Sequence, residues 1–219
     1  MTCRVEAGGA ELHLLPGKAV WWPTQHTLLV ADAHIGKAMS FRRQGVPVPR
    51  GTTQGNLDRL DALLAAHAAQ RIVFLGDFLH SAHAHARETQ AALRAWRALR
   101  PALELVLVRG NHDDRAGDPP ASLGIECVDE PYRLAGGEGL ALCHHPQPVA
   151  GAYALAGHLH PCVGVGRGLD RLRLPCFHFG AAVGVLPAFG AFTGMHPIER
   201  AAGDRVFVVA DNAVLALPA

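Results

Sequence analysis

Short polar blocks at the ends of apolar runs constrain the fold of this 219-residue chain more than any other feature. The four blocks are Asp32-Ala33-His34, Gly76-Asp77, Gly110-Asn111-His112-Asp113 and Gly157-His158-Leu159-His160. The runs before the first three are Thr27–Ala31, Arg71–Leu75 and Leu103–Val108, and they have the length and composition of buried strands. Because open α/β sheets place ligands beyond the carboxyl ends of their strands, we expect the blocks to meet at such an edge.

Helical spacing between these runs predicts an α/β fold. Leucines recur at helical spacing in Asn56–Ala69, with Thr52 or Thr53 available as the N-cap, and a second helix is expected at Ala86–Leu99. This alternation favours parallel βαβ units in the first half. Three short strands are expected before them, at Cys3–Glu6, Glu11–Leu14 and Ala19–Trp22. From Ile125 onward, short apolar runs separated by Gly and Pro turns indicate a second, β-rich sheet.

Composition limits the classes of protein to consider. The length suits a single domain, residues 1–219, and no linker or repeat divides it. With 20 Lys and Arg against 19 Asp and Glu, no overall basic field argues for nucleic-acid binding. The five cysteines form no CxxC pair, and no run is long and apolar enough to cross a bilayer. We therefore expect a cytoplasmic protein with reduced thiols and no membrane association.

The residues in and beside the blocks are of the types that bind transition metals. The Asp77 carboxylate can bridge two ions, and His144 ends a further apolar run. Seven candidate ligands result: Asp32, His34, Asp77, Asn111, His144, His158 and His160. Mixed nitrogen and oxygen donors favour manganese, iron, zinc or cobalt over magnesium and calcium, which prefer oxygen alone. The sequence therefore predicts a site for two divalent ions, suited to cleaving phosphate esters.

The order of the blocks from Asp32 to His160 resembles that of the calcineurin-like metallophosphoesterase superfamily. The resemblance implies a four-layer αββα sandwich, in which two mixed β-sheets are flanked by helices and carry a dimetal centre. It assigns Asp32, His34, Asp77 and His160 to one metal, and Asp77, Asn111, His144 and His158 to the other. It also implies that a metal-activated hydroxide attacks phosphorus and that His112 protonates the leaving oxygen.

Two further stretches resemble the bacterial ligase-associated DNA damage response endonuclease (PdeM) subfamily. They are Asp32–Lys37, continued by Ser40–Pro49, and Leu186–Gly194. This resemblance implies a phosphodiesterase or endonuclease that acts on DNA in repair, with a ligase, a helicase and an exonuclease as partners. The expected cofactors are two divalent ions, manganese first and iron or zinc as alternatives.

Two other functions stay open. The near-zero net charge fits a small-molecule phosphatase or a nucleotide or UDP-lipid pyrophosphatase slightly better than an enzyme of DNA. A non-catalytic interaction module is the third possibility, and the presence of all seven ligands and His112 argues against it.

Substrate contacts are less constrained by the sequence. Arg42 and Arg43 suit either a phosphodiester backbone or a solvated loop. His80 follows Asp77 closely enough to touch a substrate phosphate. Asp113 either orients the neighbouring His112 or caps a turn.

Overall fold

The first of two sheets holds seven strands in chain order. The structure, a computed structural model, describes residues 1–43, 45–49, 51–137, 139–166 and 172–218, without the side chains of Arg43, Ala82 and His83. The strands are β1 (Cys3–Ala7), β2 (Ala10–Leu15), β3 (Ala19–Trp22), β4 (Thr27–Val30), β5 (Arg71–Leu75), β6 (Glu104–Val108) and β7 (Ile125–Val128). Pairing is antiparallel from β1 to β4 and parallel from β4 to β7.

The predicted strands of the first half are all present, but β7 lies in an unexpected sheet. We expected Ile125–Val128 to open the second sheet, and it instead pairs in parallel with β6 and extends the first. A four-residue apolar run carries no information about its partner, so the sequence pattern alone does not distinguish the two sheets.

Four helices lie within the described residues: α1 (Lys37–Arg43), α2 (Thr52–His67), α3 (Arg87–Ala98) and α4 (Asn111–Ala116). The predicted helices correspond to α2 and α3, which connect the parallel strands. The predicted cap of α2 is wrong: Gly51, in the left-handed region, precedes the helix, and Thr52 and Thr53 are its first two residues. Helices α1 and α4 are too short to show a helical period in the sequence. No described helix is long and apolar enough to span a membrane.

The second sheet holds eight strands from the second half of the chain. They are β8 (Leu140–Leu142), β9 (Tyr153–Ala156), β10 (Pro161–Val165), β11 (Leu172–Phe179), β12 (Val183–Val185), β13 (His196–Pro197), β14 (Arg205–Ala210) and β15 (Ala213–Ala216). The second sheet is mixed, like the first: β8, β9 and β12 are parallel neighbours, whereas β10, β11, β14 and β15 pair antiparallel. The expected mixed α/β fold with two mixed sheets and helices is confirmed.

Alternation along the strands divides the core into two layers. Leu28 packs in a buried cluster with Leu57 of α2, on the helical side of the first sheet. Its neighbour Leu29 packs in a second cluster with Phe177, between the two sheets. Successive residues of a strand point to opposite faces, which explains the division. The two sheets are therefore held in fixed register by a shared apolar layer, and this register sets the geometry where their strand ends meet.

Candidate active site

The carboxyl ends of five strands meet at one edge of the two sheets. β4, β5 and β6 of the first sheet are followed by Asp32, Asp77 and Asn111, and β8 and β9 of the second by His144 and His158. The structure brings together all seven predicted ligands: Asp32, His34, Asp77, Asn111, His144, His158 and His160. Four of these, Asp32, His34, Asp77 and His144, are at most 3% exposed.

The backbone at the predicted ligands is left-handed rather than extended. Asp32 and His34 stand two residues apart, a spacing that would place both on one face of an extended strand end, but their φ angles are 53° and 44°. Asp77, His158 and His160 also have positive φ, between 50° and 70°. Such angles are uncommon for residues other than glycine and cost on the order of 1–3 kcal/mol each. The side chains therefore converge through left-handed turns, and strain of this kind clusters at functional sites.

The first group of donors contains Asp32, His34, Asp77 and His160. His160 Nε2 is 3.4 Å from Asp32 Oδ1 and 3.3 Å from His34 Nε2. His34 Nε2 is also 3.8 Å from Asp77 Oδ2. The Asp32 carboxylate accepts the backbone N–H of His158, which links the first polar block to the last.

The second group contains Asp77, Asn111, His144 and His158. His144 Nε2 lies 3.1 Å from Asn111 Oδ1, 3.1 Å from His158 Nδ1 and 3.5 Å from Asp77 Oδ1. Asp77 thus offers one carboxylate oxygen to each group, which is the arrangement that a bridging ligand requires.

The protonation of these imidazoles tests whether the two groups fit metal ions. His144 Nδ1 donates to the Leu75 carbonyl and His160 Nδ1 donates to the Gly194 carbonyl, because a carbonyl can only accept. In the neutral form of each ring Nε2 keeps a lone pair, which faces the oxygen of Asn111 or Asp32, also an acceptor. Burial lowers the pKa of His34 and of His144, so both rings are neutral. Lone pairs that face one another without a proton between them fit bound cations, and the donor set suits manganese, iron or zinc.

His112 lies beside both groups without belonging to either. Its Nδ1 donates to the His80 carbonyl, 2.8 Å away, and its backbone N–H donates to Asp77 Oδ1. Its Nε2 is therefore the free nitrogen, 4.0 Å from Asp77 Oδ2, and the side chain is 30% exposed. A nitrogen that faces both solvent and the metal ligands is placed to give a proton to a departing group.

The structure separates the two roles left open for Asp113. Its carboxylate accepts the backbone N–H groups of Gly110, Leu79 and Phe78, at 3.0, 3.0 and 3.3 Å. Asp113 is the third residue of α4, and by accepting the N–H of the N-cap residue Gly110 it closes the first turn of the helix and ties it to the chain after Asp77. The carbonyl of His80, rather than Asp113, orients His112.

The predicted substrate contacts have different outcomes. His80 lies at the site, with Nδ1 3.4 Å from His34 Nδ1 and its ring stacked on His112 at 4.9 Å. Arg42 is directed elsewhere: its guanidinium donates to the Pro49 carbonyl, and it lines a cavity with residues of α2 and α3 that contains no predicted ligand. The Arg42 guanidinium is therefore directed toward its own loop, and the side chain of Arg43 lies outside the described residues.

Another cation, Lys37, does lie within the field of the site. Burial lowers the pKa of its ammonium, and the carboxylates of Asp32 and Asp77 act in the opposite direction. Lys37 is thus better placed than Arg42 to meet a substrate phosphate.

Sequence reasoning missed the residues that support the ligands. Glu130 accepts the backbone N–H groups of both His144 and His145 and so fixes the turn after β8. The glycines before the ligands are needed for space: a Cβ on Gly110 would lie 2.4 Å from Asp77 Oδ1, and one on Gly157 2.6 Å from Asp32 Oδ2. These glycines were visible in the blocks, but a sequence pattern does not show which atoms approach them.

The chain is similar to known phosphoesterases. A family model described as calcineurin-like phosphoesterase matches residues 26–147. The nuclease MPE of Pseudomonas putida is 45% identical in sequence, covers 99% of this chain and 100% of its own, and has a TM-score of 0.87. The E. coli phosphoesterase Yfce is 15% identical over 87% of this chain and 96% of its own, with a TM-score of 0.43, too distant to inform function. No curated protein matches the chain.

Proposed function

The chain belongs to the calcineurin-like phosphoesterase family and is a metal-dependent phosphoric ester hydrolase, and from that premise we propose that it cleaves phosphodiester bonds of nucleic acid. The observation that carries the proposal is the likeness, over 99% of the chain and at 45% identity, to a nuclease. The convergence of two donor groups on Asp77, with His112 beside them, supports the same reaction.

In the proposed mechanism two divalent ions occupy the two donor groups. Asp32, His34, Asp77 and His160 would hold one, and Asp77, Asn111, His144 and His158 the other. When bound, the ions supply Lewis acidity toward the phosphoryl oxygens and make a nucleophile from water at neutral pH. The mixed nitrogen and oxygen donors support manganese as the resident metal, with iron or zinc as alternatives.

His112 is the proposed general acid. The His80 carbonyl fixes the proton on Nδ1, so a second proton on Nε2 is the one available to the leaving alkoxide. Nε2 lies 4.0 Å from the Asp77 carboxylate, beside both donor groups. Lys37 and the His80 ring are the proposed contacts to the phosphate.

DNA as the polymer and repair as the setting are also part of the proposal. Their support is the resemblance of Asp32–Lys37 and Leu186–Gly194 to a repair endonuclease subfamily. Contacts with a ligase, a helicase or an exonuclease rest on the same resemblance. A cytoplasmic location is also proposed, and its support is the five cysteines, which form no CxxC pair.

The decisive experiment uses purified protein stripped of metal by chelation and reloaded with manganese, iron(II) or zinc. We expect the reloaded protein to cleave oligonucleotides and to leave UDP-linked and simple nucleotide substrates nearly untouched. The reverse preference would establish the small-molecule alternative. Full metal occupancy without hydrolysis of any substrate would leave only the interaction module.

A leaving-group comparison tests the role of His112. His112→Ala should lower kcat on an oligonucleotide by about 10²- to 10⁴-fold and reduce hydrolysis of bis(p-nitrophenyl) phosphate much less, because nitrophenolate departs without a proton. His178→Ala is the control. His178 lies on β11, outside both donor groups, and its side chain pairs with Asp204, so both rates should be unchanged. Equal losses on the two substrates for His112→Ala would contradict the general-acid role.

A further inference from the structure

The segment Leu186–Gly194 is built against the first polar block. Leu186 and Phe189 are fully buried, and the Phe189 N–H donates to the Ala31 carbonyl. The next N–H, of Gly190, donates to the carbonyl of Asp32 itself. The inner part of the segment thus has a structural role beside a predicted metal ligand. The outer part, which we define as Ala191–Gly194 together with the following Met195, faces solvent.

The outer part forms one wall of a cavity that begins at the site. The cavity has a volume of about 140 Å³, and its lining includes His160, Lys18, Phe192, Thr193 and Met195. His160 Nδ1 donates to the Gly194 carbonyl, and the His196 N–H donates to the His160 carbonyl. The wall is therefore fixed on both sides to His160, a predicted metal ligand.

Phe192 is held in an unfavourable position for folding. Its side chain is 50% exposed, and its φ is 58°, which is an outlier for a bulky residue. Neither property stabilises the protein, since exposure forgoes apolar burial and the backbone angle costs on the order of 1–3 kcal/mol. An exposed, rigidly presented ring beside a phosphoesterase site is the element on which nucleobases stack.

Lys18 supplies a cation on the other side of the cavity. Among the described residues, its ammonium has no hydrogen bond or ion pair. Burial lowers its pKa to about 8, and the nearby charge of Arg59 acts in the same direction. A largely buried ammonium without a carboxylate partner is costly alone, and a phosphate group in the cavity would compensate it.

We propose that this cavity is a nucleotide subsite, in which the base of the nucleotide next to the scissile phosphodiester stacks on Phe192 and its outer phosphate pairs with Lys18. The proposal rests on the proposed function for the position of the scissile bond. It assigns a substrate-binding role to the end of the Leu186–Gly194 segment, which the metal chemistry leaves unexplained.

The first test compares substrates with and without a base. The probes are the 3′- and 5′-(p-nitrophenyl phosphate) diesters of thymidine and methyl p-nitrophenyl phosphate, which share a leaving group. We expect at least one thymidine diester to have the higher kcat/KM, and Phe192→Asn to lower that preference by about tenfold, through KM. Asparagine is chosen because it tolerates positive φ, so the ring is removed while the backbone is kept.

Two further variants complete this test. Phe192→Tyr retains an aromatic face and should retain the preference. Leu215→Asn removes a side chain that is 48% exposed on β15, away from the cavity, and should leave all rates unchanged. The proposal is overturned if neither thymidine diester is preferred, or if Phe192→Asn keeps the preference.

The second test measures the charge of Lys18. On an oligonucleotide, the slope of log(kcat/KM) against log[salt] should become less negative by about 0.7 in Lys18→Gln, the value for one phosphate contact on a single strand. Lys18→Arg should restore it. An unchanged slope in Lys18→Gln would show that Lys18 makes no phosphate contact in the subsite.

The two proposals fail in distinguishable ways. If the wild-type protein prefers a thymidine diester through Phe192 but does not cleave oligonucleotides, the nuclease function is wrong and the nucleotide subsite stands. If it cleaves oligonucleotides and Phe192→Asn is indistinguishable from wild type in the diester comparison, the function stands and the subsite is wrong.

Discussion

Replacing Asp113 by asparagine should destabilise the protein although the two side chains have nearly the same shape. Asp113 is 1% exposed, and its two oxygens accept three backbone N–H groups. Oδ1 accepts from Leu79, while Oδ2 accepts from Gly110 and Phe78. An amide has one oxygen, so its NH₂ group must face at least one of these buried donors.

The structure sets the size of the effect. In its better orientation the amide keeps the Oδ2 position and leaves only the Leu79 N–H without an acceptor. An unsatisfied buried donor costs about 1–3 kcal/mol, and this is the expected loss for Asp113→Asn. Asp113→Ala leaves all three donors without an acceptor and should cost more, on the order of 3–5 kcal/mol. Because Leu79 precedes the carbonyl that orients His112, we also expect kcat to fall in both variants.

Urea unfolding of the metal-free protein measures the stability change without a contribution from bound ions. The matched control is Asp114→Asn, the same chemical change at the next, exposed position in the first turn of α4. It should cost less than about 1 kcal/mol, through the helix dipole alone. If Asp113→Asn were no more destabilising than Asp114→Asn, the carboxylate would not be the tie between α4 and the chain after Asp77 that the hydrogen bonds describe.

Three other perturbations have defined outcomes. The pKa of Lys18 is about 8 in the folded state and 10.5 in the unfolded chain, so the unfolded chain binds more protons between these pH values. The free energy of unfolding of the wild type should therefore rise by about 3 kcal/mol relative to Lys18→Met between pH 7.5 and 10.5. Urea unfolding at both pH values measures this change, and a constant difference between the two proteins would contradict the prediction. Gly190→Ala places a Cβ 2.5 Å from the Ala33 carbonyl oxygen and should weaken manganese binding and lower kcat/KM at least about tenfold. Gly55→Ala on α2, whose Cβ meets nothing within 4 Å, is the neutral control, and metal titration and steady-state kinetics distinguish the two variants. Manganese at 100 times its Kd should raise the free energy of unfolding by about 2.7 kcal/mol per site, and Asp77→Asn should abolish most of that increase. Urea unfolding with and without manganese measures the effect, and a wild-type midpoint that does not change with manganese would refute a resident dimetal site.

The sequence predicted the parts of the fold that depend on local pattern. The strands that end before Asp32, Asp77 and Asn111 are short apolar runs with turn residues after them, and their order predicts parallel pairing through helices. Chemistry selected the predicted ligands, because only a few residue types bind metals and they recur after these runs, and the structure brings these side chains together. Sheet membership of β7 and the bounds of α1 depend on contacts that no local pattern encodes.

Other features of the site depend on atoms that meet only after folding. Asp113 had two plausible roles in the sequence, and hydrogen bonds from Phe78 and Leu79, more than thirty residues earlier, distinguish them. The sequence predicts Arg42 as a phosphate contact, but its N–H donates to the Pro49 carbonyl, a contact that no local pattern shows. The left-handed angles at the ligands were also hidden, since a sequence shows positive φ reliably only at glycine.

The distribution of ligands between the sheets explains why the site needs the whole fold. The first donor group takes Asp32, His34 and Asp77 from the first sheet and His160 from the second; the second group takes Asp77 and Asn111 from the first sheet and His144 and His158 from the second. Each bound ion would therefore join two sheets whose relative position is already fixed by the apolar layer between them. A displacement of either sheet against the other would move one half of both groups at once. Packing between the sheets and metal affinity are thus coupled, so substitutions in the shared core, far from any ligand, should weaken metal binding in proportion to the displacement of one sheet against the other.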